Sequence, residues 1–166
     1  KAIGALADAS KVPRLTGLVA GPVDEIIEGI GSKVDDVGRN VTYNFLDEMD
    51  KLGGHNVKHI NQTEHYLAQR LIDEPNIPMS SSFFTKEIAE QAVNDVFAKN
   101  YDEIMKWLGD ESNTLPKVIT QDFDYPLGVV LPRGGLLQEG KTAVIVLKKS
   151  PSSPYGFVIK TSYVDL

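Results

Sequence analysis

The sequence contains no cysteine, which excludes disulfide bonds and cysteine-ligated zinc or iron–sulfur sites. Stability must therefore rest on packing alone, as in a reducing compartment such as the bacterial cytosol. There is no apolar run of about eighteen or more residues, and residues 1–20 lack the basic start and apolar block of a signal peptide. We therefore expect no membrane anchor, and the start at Lys1 without an initiator Met suggests a fragment of a longer polypeptide.

Positive charge is also scarce, since the net charge of the 166 residues is −6. Non-specific coating of DNA requires several Lys or Arg on one face, so the overall charge argues against it. Residues 117–166 differ, because six basic residues there outnumber four acidic ones. This segment could form either a locally basic cleft or an ordinary solvated surface of mixed charge.

Helical periodicity dominates the first part of the chain. Between residues 22 and 52 apolar side chains recur at three- and four-residue steps, which predicts two amphipathic helices. The Gly53-Gly54 pair then interrupts the pattern. We therefore predict a helical extension over residues 1–52 and a separate domain over residues 53–166.

A second helical segment follows a predicted loop. Pro75 and Pro78 are typical of a loop, and Ser80-Ser81-Ser82 come after it. Thr85 is a suitable N-cap for the next helix, whose clear apolar stripe ends at Gly109. We therefore expect one long helix between these two residues.

Four short β-rich runs with Gly, Pro and Ser between them complete the chain: Val118–Thr120, Leu127–Leu131, Thr142–Lys149 and Gly156–Tyr163. A short loop joins the last two runs, so they should pair as an antiparallel hairpin. Helices followed by strands, without alternation, predict an α+β fold in which N-terminal helices precede a twisted antiparallel sheet.

A histidine and an arginine flank a predicted helix start. An N-cap within Asn61–Thr63 would place His59 just before the helix and Arg70 two turns inside it. Helical side chains lean toward the N-terminus, so the Arg70 guanidinium is expected to point back at His59, where the helix end favours anions. A surface ion pair between Arg70 and Glu74, at the i,i+4 spacing, is the alternative.

The last predicted strand carries side chains with hydroxyl groups toward its end. Strict alternation would put Thr161 and Tyr163 on the same face as the apolar Ile159, as in a strand that runs from a core into a cleft. The high β-propensity of Thr and Tyr accounts equally well for these residues.

His55 and His59 have the i,i+4 spacing of two histidine ligands on a helix. A metalloprotease motif would have Glu after the first histidine, but Asn56 stands there, so we expect no metal site. His55, Lys58 and Lys160 are second-rank candidates for phosphate contact or proton transfer.

Several segments, in their order and spacing, carry a resemblance to a known family: Gly53–Ile60, Thr63, Leu67–Leu71, Ser82–Thr85, Trp107-Leu108 and Tyr155–Tyr163. Together they resemble the bacterial ribonuclease A-like toxin domain at the C-terminus of contact-dependent growth inhibition proteins, in particular the Yersinia type. The resemblance covers residues 53–166.

This resemblance implies a kidney-shaped, ribonuclease A-like fold without disulfides and metal-independent RNA cleavage without a cofactor, through a 2′,3′-cyclic phosphate. By position, it places the catalytic histidine on His59 and the arginine on Arg70. It places a pair of hydroxyls on Thr161 and Tyr163. Pancreatic ribonucleases use two histidines and a lysine, whereas the last strand here has no histidine, so the second proton carrier is not identified.

The same resemblance implies two partners, an RNA substrate and a cognate immunity protein. The domain would be part of a larger secreted filamentous toxin at the surface of the producing bacterium and would act in the target-cell cytoplasm. Residues 1–52 would then belong to the entry region, or form a plain helical linker. The alternatives are a non-enzymatic protein-interaction module and a metal-dependent or tRNA-specific nuclease of another fold.

Overall fold

Helices precede most strands in the computed structural model, which describes residues 44–166. The helices of this part are α1 (Phe45–Lys51), α2 (Glu64–Asp73), α3 (Lys86–Lys99) and α4 (Tyr101–Gly109), with a 3-10 turn at Val57–His59. The strands are β1 (Met79–Phe83), β2 (Lys117–Asp122), β3 (Gly128–Pro132), β4 (Gln138–Gly140), β5 (Thr142–Lys149) and β6 (Phe157–Asp165). The helical prediction for residues 22–43 lies outside the described residues.

In residues 44–166 the strands form two antiparallel three-stranded sheets, with the orders β1-β3-β4 and β2-β5-β6. β5 and β6 pair as the predicted antiparallel hairpin. β1 lies against β6, which brings the two sheets together. The α+β prediction is therefore confirmed, with the strands divided between two sheets.

β1 was not predicted from the sequence. Ser80–Ser82 are buried and pair with β3, with Ser81 opposite Val130. The Ser82 hydroxyl accepts a hydrogen bond from the backbone N–H of Gln62 at 2.9 Å and donates one to the Phe83 carbonyl at 2.9 Å. Pairing with a distant strand thus overrides the turn preference of serine.

The predicted long helix is divided at Asn100. Its start is as expected, since the Thr85 hydroxyl accepts a hydrogen bond from the backbone N–H of Ile88 at 3.2 Å. The Asn100 side-chain amide donates to the Val96 carbonyl at 2.8 Å and to the Gln121 side chain at 3.3 Å. These bonds satisfy the end of α3 and turn the chain into α4.

The main core is shared by helices and strands. Phe97 of α3 stacks on Phe157 of β6 with ring centroids 5.8 Å apart. Phe45, Leu46 and Met49 of α1 are buried in the same cluster, although α1 precedes Gly53-Gly54. Within residues 44–166, no helix is long and apolar enough to cross a membrane.

Candidate active site

A pocket of about 240 Å³ lies where the 3-10 turn, α2, β1 and β6 meet. The four predicted site residues all line it: His59, Arg70, Thr161 and Tyr163. His55 lines it too, whereas Lys58 and Lys160 are not among the lining residues. Residues from both ends of the domain are thus brought into one site.

The first side of the pocket is set by the start of α2. The Thr63 hydroxyl accepts a hydrogen bond from the backbone N–H of Tyr66 at 3.1 Å, so Thr63 is the N-cap within the predicted window. His59 ends the 3-10 turn just before this helix and is 5% exposed. Its ring centroid lies 6.3 Å from that of His55 and 6.1 Å from that of Tyr163.

The surroundings of His59 strongly favour its neutral form. Burial is the largest cause, and together with nearby charges it lowers the pKa of His59 from 6.5 to about 3. The charge of Arg70 acts in the same direction, followed by Lys58 and His55. A backbone hydrogen bond with Ser81 raises this pKa without offsetting the other effects. At neutral pH, His59 is therefore a free imidazole that can accept a proton.

His55 has a milder environment. Burial lowers its pKa, and the charges of Lys58 and Lys160 lower it further, while Asp50 raises it. The pocket therefore holds two imidazoles in different electrostatic settings, with His59 the more deeply buried.

Arg70 makes the ion pair that was the alternative for it. Its Nε lies 2.9 Å from Oε1 of Glu74 and its Nη2 lies 3.3 Å from Oε2. The hydrogen bond from Arg70 lowers the pKa of the Glu74 carboxyl. The ion pair with Glu74 is therefore made, and its two-point geometry fixes the guanidinium. Arg70 nevertheless lines the pocket, and its charge acts on His59.

The second side of the pocket depends on a bulge in β6. Thr161 pairs with Val146 and Ile159 with Leu147, so Lys160 is left without a partner in the register. In paired strands, residues directly opposite each other point to the same face of the sheet. Val146 and Leu147 are neighbours on β5 and therefore point to opposite faces. Ile159 and Thr161 therefore point to opposite faces, and the prediction of strict alternation was wrong. Thr161 and Tyr163 still share one face, as predicted.

The two hydroxyls of β6 differ in their environment. The Thr161 hydroxyl is buried and has no hydrogen-bond partner within residues 44–166. Burial raises the pKa of Tyr163, and the charge of Asp165 raises it further. The Tyr163 phenol is thus a hydrogen-bond donor at neutral pH and not a base.

Two lysines lie close enough to the pocket for their charges to act on His55. Lys58 is exposed beside His59, and the Lys160 ammonium donates to the Gly53 carbonyl at 3.0 Å. With Arg70, these groups would favour an anion such as a phosphate. Among the residues that the structure describes, no group of three His, Cys, Asp or Glu is placed to hold a metal ion.

Four pocket residues were missed by sequence analysis: Ile77, Pro78, Met79 and Ser81. The first three give the pocket an apolar wall, and Ser81 comes from β1. One pattern in the sequence could have identified this part of the pocket. Met79 and Phe83 flank the three serines, which is compatible with a short buried strand.

An α+β domain in which a free imidazole, a guanidinium and two hydroxyls share one pocket has the parts of a nuclease that handles phosphodiesters. The chain belongs to the bacterial CdiA-CT RNAse A domain family, whose model matches residues 54–163. This match confirms the predicted family and identifies the domain as a ribonuclease A-like toxin domain.

A solved structure agrees with this assignment. The chain is similar to a chain in the crystal structure of the CdiA-CT/CdiI complex from Y. kristensenii 33638, with 25% sequence identity and a TM-score of 0.60. The similarity covers 66% of this chain and 96% of that chain. No curated protein sequence matches the chain.

Proposed function

We propose that this toxin domain cleaves RNA by transphosphorylation without a metal ion, and that His59, Arg70, Thr161 and Tyr163 form its active site. One observation carries the proposal: these four residues, chosen from sequence, line a single pocket of about 240 Å³. The family match supports the substrate class.

In the proposed reaction, the ribose 2′-hydroxyl attacks the adjacent phosphorus. The new bond joins the 2′-oxygen to phosphorus, and the bond from phosphorus to the 5′-oxygen breaks. The products are a 2′,3′-cyclic phosphate and a free 5′-hydroxyl. His59 is unprotonated at neutral pH and takes the proton of the 2′-hydroxyl, and the bound phosphate would raise its pKa and so strengthen it as a base.

The leaving 5′-oxygen needs a proton from a second group. We assign this role to His55, whose ring lies 6.3 Å from that of His59 and which is less deeply buried. A bound phosphate would favour the protonated form of His55, since an anion raises the pKa of a nearby imidazole. Water can then return both imidazoles to their starting protonation states.

The remaining groups act on the phosphate. Arg70 balances the charge that develops on the phosphate oxygens, a role usually worth several kcal/mol. Thr161 and Tyr163 donate hydrogen bonds to phosphate oxygens or to the base. Lys58 and Lys160 raise the positive potential around the pocket and attract the RNA backbone.

We further propose that the domain acts in the cytoplasm of a target bacterium as part of a larger surface-exposed toxin. Residues 1–52 would serve its entry. The solved structure from Y. kristensenii is a complex of CdiA-CT with CdiI. By analogy, a cognate immunity protein would bind this chain, and acidic groups on that protein would complement the positive charges around the pocket.

Cleavage assays test the enzymatic proposal. The purified chain is incubated with total bacterial RNA and with DNA, each with and without EDTA, and the RNA ends are analysed. We expect RNA fragments with cyclic phosphate ends that are unaffected by EDTA, and intact DNA. Loss of cleavage on chelation would overturn the metal-free mechanism, and cleavage of DNA would overturn the role of the 2′-hydroxyl.

A further inference from the structure

The carboxylate of Asp50, at the end of α1, holds the turn that carries the histidines. Its Oδ1 accepts hydrogen bonds from the backbone N–H of Asn56 at 2.6 Å and from the Asn56 side-chain amide at 2.8 Å. Its Oδ2 accepts a third from the backbone N–H of Val57 at 2.9 Å. One charged group thus satisfies the N–H groups at the start of the 3-10 turn.

Asn56 connects this turn to β6. It is completely buried, and its side-chain amide also donates to the Ile159 carbonyl at 2.9 Å. Its side-chain oxygen accepts a hydrogen bond from the Ser162 hydroxyl at 2.9 Å. All the polar atoms of this buried side chain are therefore satisfied, as in a rigid polar network.

The bulge of β6 is held from the same side. The backbone N–H of His55 donates to the Lys160 carbonyl at 2.9 Å, and the backbone N–H of Ile159 lies 3.3 Å from the Met49 sulfur. Gly54 permits this close approach, because a Cβ there would lie 2.4 Å from the Ile159 carbonyl oxygen. Both α1 and the segment after it therefore shape the bulge.

The network joins the two sides of the pocket. His55 immediately precedes Asn56, and His59 ends the turn that begins after it. Ser162 lies between Thr161 and Tyr163, which share the opposite face of β6. The spacing between the imidazoles and the hydroxyls thus depends on Asn56 and on the carboxylate that fixes it.

We infer that Asp50 is a positioning residue for His55 and His59, acting through Asn56 and Val57. The role of Asp50 in catalysis rests on the proposed RNA cleavage. Its effect on the positions of the two imidazole rings does not depend on that activity. Because α1 precedes residue 54, where the family match begins, the active site depends on a helix outside the matched segment.

Asp50 also acts on His55 through its charge. Its carboxylate raises the pKa of His55, against burial and the charges of Lys58, Lys160 and Arg70. Loss of the carboxylate would therefore change both where the two rings lie and how readily His55 binds a proton.

The test compares Asp50→Asn with Asp47→Asn in the full chain. Each removes one acidic charge from α1, but Asp47 pairs with Lys86 and makes no hydrogen bond to the turn. In Asp50→Asn we expect kcat to fall about 10- to 100-fold, with KM within about two-fold of the wild type, because misplacement of a catalytic group acts mainly on the chemical step. Asp47→Asn should keep the wild-type kcat.

NMR titration of the histidine rings gives a readout that needs no activity. The pKa of His55 should be lower in Asp50→Asn than in the wild type, and the ring signals of His55 and His59 should shift, while His65 on the surface of α2 should not change. Wild-type kcat together with unchanged histidine titrations would overturn the inference. If the wild type does not cleave RNA but the rings respond, the positioning role stands and the proposed function fails.

Ser162→Ala is the second variant, for the case that Asp50→Asn does not fold. It leaves the Asp50 contacts in place and removes only the hydrogen bond that the Ser162 hydroxyl donates to Asn56. We expect a fall in kcat without a matching rise in KM, and shifted ring signals. Wild-type kcat and wild-type ring signals in this variant would equally contradict the inference.

Discussion

The ring centroids of His59 and Tyr163 lie 6.1 Å apart, although one residue ends a 3-10 turn and the other lies on the last strand. Their protonation preferences are opposite. The pKa of His59 is lowered to about 3, whereas that of Tyr163 is raised. At neutral pH the pocket therefore presents a proton acceptor beside a hydroxyl donor, and this polarity underlies the predictions below.

The first prediction concerns His59 itself. We expect His59→Ala to remain folded by circular dichroism and to lose about 10²- to 10⁴-fold in RNA cleavage rate, the usual contribution of a general base. His65→Ala is the matched control, because His65 is exposed on α2 and should be dispensable. Full activity of His59→Ala would remove His59 from the site.

The buried His59 should also make the fold sensitive to acid. Its folded-state pKa is about 3 against 6.5 for a free histidine, so the unfolded state binds the extra proton between these values. The contribution of His59 to the free energy of unfolding is therefore fully present above pH 6.5. As the pH falls toward 3, this contribution is lost, and the free energy of unfolding falls by at most about 5 kcal/mol. Urea unfolding at pH 7, 5 and 4 should show that acid lowers the free energy of unfolding less in His59→Asn than in the wild type. If the two proteins lose the same free energy of unfolding with falling pH, His59 does not contribute to the acid sensitivity.

Variants of Arg70 and Glu74 can distinguish a catalytic role of Arg70 from a structural role in its ion pair. We expect Arg70→Ala to lower the cleavage rate by about 100-fold or more, because the developing phosphate charge loses its partner. Glu74→Gln, which breaks the same ion pair, should change the rate by less than about three-fold, since partly exposed pairs add little stability. Equal losses in the two variants would mean that Arg70 acts only through the ion pair.

Thr161 offers a variant in which stability and activity should separate. Its hydroxyl is buried without a hydrogen-bond partner in the described part of the chain, so Thr161→Val removes an unsatisfied polar group and keeps the shape of the side chain. We expect an unfolding free energy equal to or above that of the wild type, measured in urea, and a cleavage rate reduced about ten-fold or more. A destabilised but fully active variant would contradict the assignment of Thr161 to the substrate.

Arg133 should stabilise the apolar wall of the pocket. Its guanidinium donates to the carbonyls of Ile77 at 3.0 Å, Leu71 at 2.9 Å and Glu74 at 2.9 Å, which ties the turn after β3 to the end of α2. Arg133→Met should lower the unfolding free energy by about 1–2 kcal/mol and raise KM more than it lowers kcat. Thermal unfolding and steady-state kinetics check the two effects, with Lys141→Met at an exposed position after β4 as a surface control.

Local features of this fold could be predicted from sequence. The caps at Thr63 and Thr85 follow from hydroxyl side chains placed just before helical segments. The β5–β6 hairpin follows from two β-rich runs joined by a short loop. In each case the deciding contacts lie within a few residues of one another.

Features that depend on distant segments were not predicted. β1 exists because Ser80–Ser82 pair with β3, and the break at Asn100 involves a hydrogen bond to Gln121.

The sequence by itself determined the α+β class, the family and the identity of the four residues proposed for the site, because caps, periodicity and motif order are local properties. Tertiary structure alone decided that these residues share one pocket and that burial holds His59 in its neutral form. It also decided, through the bulge at Lys160, that Thr161 leaves the face of Ile159. The physical reason is that the turn after Asp50 contacts the last strand at this pocket, and this contact sets the burial, the register and the charges there. The two segments are far apart in the sequence, so no local pattern predicts their contact.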